Sequence, residues 1–284
     1  MSRSLRRGLA LCALLVASVA PGEGVASASE ETDAIFQRGV VALKEGRAGE
    51  AIGQFEALAD HGVVDAAASF NRGLAYAMRV REHAEASGDL GQAACAFEEA
   101  RELAPDDAIE REATRAVDAV RSEVARRRLR VGEPANVEKR GSLGRSVMLA
   151  TSEDAWAAIA WSASVLFAIS LFVRSMTNGR RLRVASTISS LISGLALIVC
   201  ASLATGARMA RNEARAGVIV TSSARLSDER GVALVNADPL PEGARIEVDL
   251  AHAPNAKPEL VFVRWGDANG YIVEAAARLL ARVE

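Results

Sequence analysis

Residues able to do chemistry are few in this chain and lie far apart. The histidines His61, His83 and His252 fall in three different segments, and no pair of them has the spacing of a zinc site. Cys12, Cys95 and Cys200 have neither a CxxC partner nor a nearby histidine, so each reads as a small buried hydrophobe. HExxH, GxSxG and phosphate-binding glycine loops are absent from the sequence. Glu98, Glu99 and Glu102 sit on an amphipathic helical stretch and read as a solvated face rather than an acid–base pair. The expectation is a non-enzymatic protein with no catalytic residue, cofactor or metal. What remains is binding chemistry, with two candidate surfaces. One is the set Phe36, Val40, Leu43, Phe70, Asn71, Leu74 and Met78 on two helical stretches, in which Asn71 offers both a donor and an acceptor. The other is an aromatic face formed by Trp265 and Tyr271.

The elements that must position these residues are unlike one another. The 284 residues carry 34 basic and 36 acidic side chains, a net charge of -2 that gives no whole-chain attraction for nucleic acid. Mean hydropathy is +0.12 although a quarter of the residues are charged, so apolar and charged residues must be segregated along the chain. Three uncharged runs account for it. Arg3, Arg6 and Arg7 precede Gly8 to Ala20, and Ala26-Ser27-Ala28 follows, the order of a secretory signal peptide over 1–28. An uncleaved anchor helix would export the next segment equally well. The runs 155–173 and 184–207 each reach the ~20 residues that span a bilayer. The loop between them, 174–183, holds four arginines and no acid, which puts it on the cytoplasmic side. Ala160, Ser164 and Ala168, with Ser186, Ser190 and Gly194, predict close packing of the two spans. Neither span contains an ionisable residue, so the hairpin reads as an anchor rather than a transport path.

Between the signal segment and the first span, Phe36-Gln-Arg-Gly39 recurs as Phe70-Asn-Arg-Gly73 thirty-four residues later. Gly46, Ala51 and Phe55 follow the first copy. Tyr76, Gly88, Ala93, Phe97, Ala100 and Pro105 follow the second, which carries about eight extra residues near Val80 to Ser87. The pattern resembles the tetratricopeptide repeat, and implies an α-helical solenoid over 29–131 whose first helices line a peptide-binding groove. Asp106 and Asp107 mark the start of a capping helix with Ala113, Val117, Val120 and Val124 on its inner face. Its basic run Arg126, Arg127, Arg128 and Arg130 reads as a solvated helix end, and 132–154 as a linker.

Past Arg215 the texture becomes β-branched: 218–221, 232–235, 245–250 and 260–265, separated by turn sequences. With Trp265, Gly270-Tyr271-Ile272 and the tail Leu279-Leu280, the region 208–284 resembles the bacterial SH3 domain, a small all-β barrel. Such domains bind peptidoglycan or protein segments.

The fold class expected is therefore a multidomain membrane protein: a tetratricopeptide-repeat solenoid, a two-helix transmembrane hairpin and a small SH3-like barrel. In that order the modules resemble the BatE-like proteins of the Bacteroides aerotolerance family. The resemblance implies a bacterial inner-membrane scaffold with both folded modules on the periplasmic side. It also implies von Willebrand factor A membrane proteins and a MoxR-type ATPase system as partners. The alternative is a wall-attachment or wall-sensing protein that binds peptidoglycan through the SH3-like domain.

Overall fold

The computed structural model describes residues 23–104, 106–139, 147, 151–176, 179–222, 224–235, 237–250 and 259–281. The apolar run Gly8 to Ala20 lies outside these. Ala26-Ser27-Ala28 lies within the first helix, α1 (Glu23–Lys44). Then come α2 (Ala48–Asp60), α3 (Ala66–Arg81), α4 (Asp89–Leu103) and α5 (Asp107–Arg130). Two long helices, α6 (Glu153–Met176) and α7 (Arg180–Glu213), precede five strands. These are β1 (Ala214–Ile219), β2 (Arg245–Asp249), β3 (Leu260–Trp265), β4 (Ala268–Val273) and β5 (Ala277–Leu279). The strands form one antiparallel sheet of order β4-β3-β2-β1-β5, curled into a half-barrel.

The repeated motif has a direct packing role. A Cβ on Gly39 would lie 2.8 Å from the Phe55 ring, and one on Gly73 would lie 2.7 Å from Phe97. In each pair the glycine lets the ring of the second helix rest on the backbone of the first, and the motif phenylalanine packs edge-on against that ring. Phe36 and Phe55 have centroids 6.0 Å apart, and Phe70 and Phe97 5.4 Å. Asp65 caps α3 by accepting from the Ala68 N–H at 2.8 Å, and Asp106 caps α5 through the Ala108 and Ile109 N–H groups. Ala113, Val117, Val120 and Val124 are buried on α5 as their spacing predicts.

The extra residues of the second copy are shared between helix and turn. Helix α3 runs further past its glycine than α1 does, and the turn 82–88 is longer than 45–47. The lengthened turn is where the sheet docks. Gly88 has φ +95, and a Cβ there would lie 2.5 Å from the Val220 carbonyl oxygen. A Cβ on Gly91 would lie 2.7 Å from both the Ile219 oxygen and the Val220 Cα. One hydrophobic core runs through both modules, from Phe55 and Phe97 to Ile219, Leu240 and Ile246.

The half-barrel and the segment that covers it depart from expectation in two places. The stretch 232–235 is not a strand of the sheet. It meets Ser227 through a single bridge at Ala233, while Val232, Leu234 and Val235 are exposed. The segment 132–139 is not a free linker, because Val137 is buried against the sheet. The stretch 251–258 between β2 and β3 lies outside the described residues.

Helices α6 and α7 pack antiparallel, and each is long and apolar enough to cross a membrane, over Asp154–Met176 and Arg180–Met209. The uncharged run 184–207 alone spans about 36 Å at 1.5 Å per residue. The buried seam contains Ala160, Ala163 and Ser170 on α6, and Ser186, Ser190, Ser193, Cys200 and Ala207 on α7. These positions step by three, four or seven residues, so the contact face follows a seven-residue period. Ala168, expected in the seam from four-residue spacing, is exposed instead. Ser170 and Ser189 bridge the pair, with their hydroxyl oxygens 2.9 Å apart.

Replacing Gly91 by alanine should cost about 1–3 kcal/mol, because the obstacle is backbone and cannot swing aside. Gly53→Ala, on an exposed helical position with nothing within 4 Å of its Cβ, should gain about 0.5–1 kcal/mol. Denaturant unfolding of the full chain in detergent compares the two. Equal effects would mean the close approach at Gly91 is not constraining.

Candidate functional site

Five of the seven expected groove residues do come together. Val40 and Leu43 on α1 face Asn71, Leu74 and Met78 on α3 across an open groove of about 480 Å³. Ala77 completes its floor, and Lys44 and Arg81 stand at the C-terminal ends of the two helices. Leu74 is 39% exposed, a large apolar side chain turned to solvent. The Asn71 side chain has no hydrogen-bond partner among the described residues. Phe36 and Phe70 do not line the groove. Each is half-buried in its edge-on ring pair, so their contribution is to the spacing of the helices. Lys44 and Arg81 were missing from the sequence-derived set. Their spacing shows them in hindsight: Lys44 is one helical turn past Val40, and Arg81 continues the series Asn71, Leu74, Met78.

The aromatic face expected on the sheet is closed. Trp265 is 2% exposed and Tyr271 5%. The segment 132–139 crosses Trp265: its indole N–H donates to the Val137 carbonyl at 3.3 Å, and the Lys139 ammonium lies 4.2 Å from the ring centroid. Tyr271 packs edge-on against Phe262, with centroids 5.2 Å apart. Neither ring is an open ligand surface in this arrangement. His61 follows α2 and His83 follows α3, far from any partner set, and His252 lies outside the described residues.

The carboxylates expected on a solvated face are instead the junction between the modules. Glu98 is fully buried and meets Arg101 of its own helix at 2.5 Å, Arg121 of α5 at 2.7 Å and Arg245 of β2 at 2.7 Å. Glu99 is also buried, accepting from the Ser69 hydroxyl at 2.6 Å and pairing with Arg72 at 3.2 Å. Only Glu102 is partly exposed, and it too pairs with Arg245, at 2.5 Å. A second tie joins α2 to β5, where Arg278 forks onto Glu56 with two contacts of 2.9 Å. The basic run of α5 is likewise divided. Arg126 and Arg127 pair with Glu123 at the surface, whereas Arg128 is buried and donates to the carbonyls of Pro134 and Pro239.

Two carboxyl groups at the junction shift in opposite directions. Burial raises the Glu56 carboxyl, but the hydrogen bond from Arg278, the charges of Arg72 and Arg278 and the Tyr76 hydroxyl outweigh it, so its pKa is lowered. Glu242 reaches across to the first turn of α4 and accepts the Gly91 N–H at 2.8 Å. Burial dominates there despite that bond, so its pKa is raised. Burial also pushes the Cys95 thiol up to about 12, leaving it inert as a nucleophile near neutral pH.

No protein-family model matches the chain, and no curated protein or solved structure does. The groove and the junction therefore stand on their own geometry. One side of the helical module is occupied by the chain's own sheet, docked on α4 and α5. The other side, between α1 and α3, is open.

Two substitutions test the junction. Glu98→Gln leaves three guanidinium groups around a neutral amide and should cost about 3–5 kcal/mol. Glu102→Gln, in the partly exposed part of the same cluster, should cost no more than about 1 kcal/mol. Unfolding midpoints of the two variants should differ accordingly, and equal values would remove the buried network as the tie between modules.

The pH dependence follows from the signs. The lowered Glu56 value contributes stability above the ordinary glutamate range, lost as pH falls through its folded value. The raised Glu242 value does the reverse, so its contribution fades as pH rises through the folded value. Glu242→Gln keeps an oxygen for the Gly91 N–H and removes the buried charge. It should raise the melting temperature at pH 7.5, and the difference should vanish below about pH 4.3. A constant difference across that range would contradict the sign of the shift.

Proposed function

We propose that the protein is a non-enzymatic, membrane-anchored scaffold that holds a peptide segment or partner helix in the groove between α1 and α3. The observation that carries this reading is the asymmetry of the helical module. Its α4 and α5 side is filled by the half-barrel, while Val40, Leu74 and Met78 remain open to solvent on the other.

In this reading the helical hairpins α1–α2 and α3–α4 are tetratricopeptide repeats capped by α5, and the half-barrel is a bacterial SH3-like domain. The repeated Phe–Gly–Phe packing supports the first assignment, and the strand order with the closing β5 supports the second. The four arginines expected in a loop over 174–183 lie instead on the facing ends of α6 (Arg174) and α7 (Arg180, Arg181 and Arg183); in this reading that basic end lies in the cytoplasm, and both folded modules lie on the outer side of a bacterial inner membrane. The ordered combination fits a BatE-like protein, with von Willebrand factor A membrane proteins and a MoxR-type ATPase system as the partner class. Peptidoglycan attachment has less support, because the two aromatic rings that would carry it are buried.

Leu74→Arg changes an exposed groove position and leaves the ring pairs intact. It should reduce partner recovered with the full chain from its own membranes by at least tenfold, with an unchanged unfolding midpoint. Undiminished recovery from a folded Leu74→Arg protein would end the groove reading. Phe70→Glu is unsuitable for this purpose, since it would break the contact with Phe97.

A further inference from the structure

Helices α6 and α7 do not close on one another over part of their length. Ala163 and Leu166 of α6, with Ala185, Ile188, Ile192 and Ala196 of α7, line an open groove of about 600 Å³. Along α7 the lining runs from Ala185 to Ala196, about 16 Å at 1.5 Å per residue. That is the depth of one leaflet, half of a hydrocarbon core about 30 Å thick. The groove starts at the basic end of the helix pair, and its lining stops near the middle of the uncharged run 184–207.

Arg174, Arg180, Arg181 and Arg183 stand at that end, all exposed. The sequence has no acidic residue between Asp154 and Glu213, and both of those lie at the opposite end of the pair. Two of the four arginines are in phase with the groove. Arg181 is one helical turn before Ala185 on α7, and Arg174 is three turns past Ala163 on α6. Arg180 and Arg183 fall on other faces of α7. A cytoplasmic position accounts for arginines at this end. It does not account for an apolar groove of leaflet depth that opens beside two of them. The helix dipole does not either, since Arg181 is in the first turn of α7, where a cation is disfavoured.

The lining is aliphatic in effect although Ser189 and Ser193 belong to it. Ser189 shares a hydrogen bond with Ser170 across the pair, and Ser193 donates to the Ser189 carbonyl at 2.8 Å. Their hydroxyls are engaged within the hairpin, while Leu166, Ile188 and Ile192 are each more than half exposed. A third spanning helix would follow the pair through the whole core. An acyl chain ends at mid-depth, as this groove does.

We infer that the groove holds an acyl chain of an anionic phospholipid from the leaflet at the basic end, its phosphate met by Arg174 and Arg181. This rests on the reading of α6 and α7 as membrane-spanning and adds the ligand they take there. The aliphatic lining holds the chain, and the planar guanidinium donors select the phosphate and the net negative charge. A zwitterionic lipid would fill the same groove but bring its own cation to the arginines.

The test uses the full chain in nanodiscs of phosphatidylcholine with a minor share of phosphatidylglycerol. After transfer to mild detergent, the lipid retained per chain is measured by mass spectrometry. The wild type should retain phosphatidylglycerol at least about tenfold above its share of the bilayer. Arg174→Gln with Arg181→Gln should lower that enrichment on the order of tenfold. Arg180→Gln with Arg183→Gln, the same change in charge away from the groove, should lower it less than about threefold. Ala185→Phe fills the exposed mouth and should reduce retained lipid of both headgroups. Both faces of a nanodisc are open, so a changed direction of insertion would not mimic these effects.

Equal losses from the two arginine pairs, or enrichment undiminished in Ala185→Phe, would reduce the effect to general attraction by a basic end and overturn the inference. A polypeptide retained in place of lipid, and lost on Ala185→Phe, would assign the groove to a third helix and overturn it as well. Release of the chain from its own membranes by alkaline carbonate would instead remove the spanning reading itself. Unfolding midpoints control for folding, and Ala185→Leu is the milder substitution if phenylalanine parts the helices.

Discussion

A carboxylate removed from water tolerates very few arrangements of its neighbours, and Glu98 sets that condition for the two modules that flank the long helices. Its two oxygens are met by guanidinium groups from α4, α5 and β2. Desolvating the ions costs several kcal/mol each, which their attraction recovers only with good geometry. Such a cluster adds little net stability over an apolar core. It does penalise every alternative docking of the half-barrel, because any shift strands a buried charge. Residues 98 and 245 lie on opposite sides of two membrane-length helices in sequence, so the cluster also closes a long loop. The chain leaves α5, passes across Trp265, runs through α6 and α7, and returns to the face it left.

The backbone is fitted to the same docking. Gly88 and Gly91 admit the end of β1 to the first turn of α4, and Glu242 completes that turn by accepting the Gly91 N–H. The first repeat copy has a short turn in the corresponding place and no sheet against it. The second copy's longer turn therefore has a structural role, as the platform on which the other module sits. With that side filled, the α1–α3 groove is an open apolar surface of the helical module, the one on which the proposed partner would sit.

Sequence patterning made the elements legible because each follows a period. The repeat spacing located Phe36, Gly39, Phe70 and Gly73, the apolar stripe of α5 located its buried residues, and the charge gaps located both long helices. Five of the seven expected groove positions do line it. The failures have a common cause in long-range partners. Glu98 and Glu99 read as solvated because helical periodicity cannot reveal arginines 23 to 147 residues away. Trp265 and Tyr271 read as a candidate face because the covering segment, around Val137, belongs to what composition marks as linker. In α6, a small-residue spacing of four misplaced Ala168, since the two helices meet along a period of seven. Lys44 and Arg81 were hidden by the opposite error, charge at a helix end being too ordinary to suggest a site.

The direct step from α7 into β1 bears on how strongly the proposed groove would have to bind. Helix α7 ends at Glu213 and β1 starts at Ala214. From there the contacts pass without a flexible step through Ile219 and Val220 to Gly91 of α4, and from Phe97 of α4 to Gly73 of α3. A groove so connected is held in a fixed orientation to α6 and α7, which are long and apolar enough to cross a membrane. A partner anchored in the same membrane would meet it as an intramolecular-like encounter, at an effective concentration reaching the millimolar range when its own tether matches the span to the groove. A shallow surface with a few apolar side chains and two cations is then sufficient, because the bilayer supplies the confinement that a deeper pocket would otherwise have to provide.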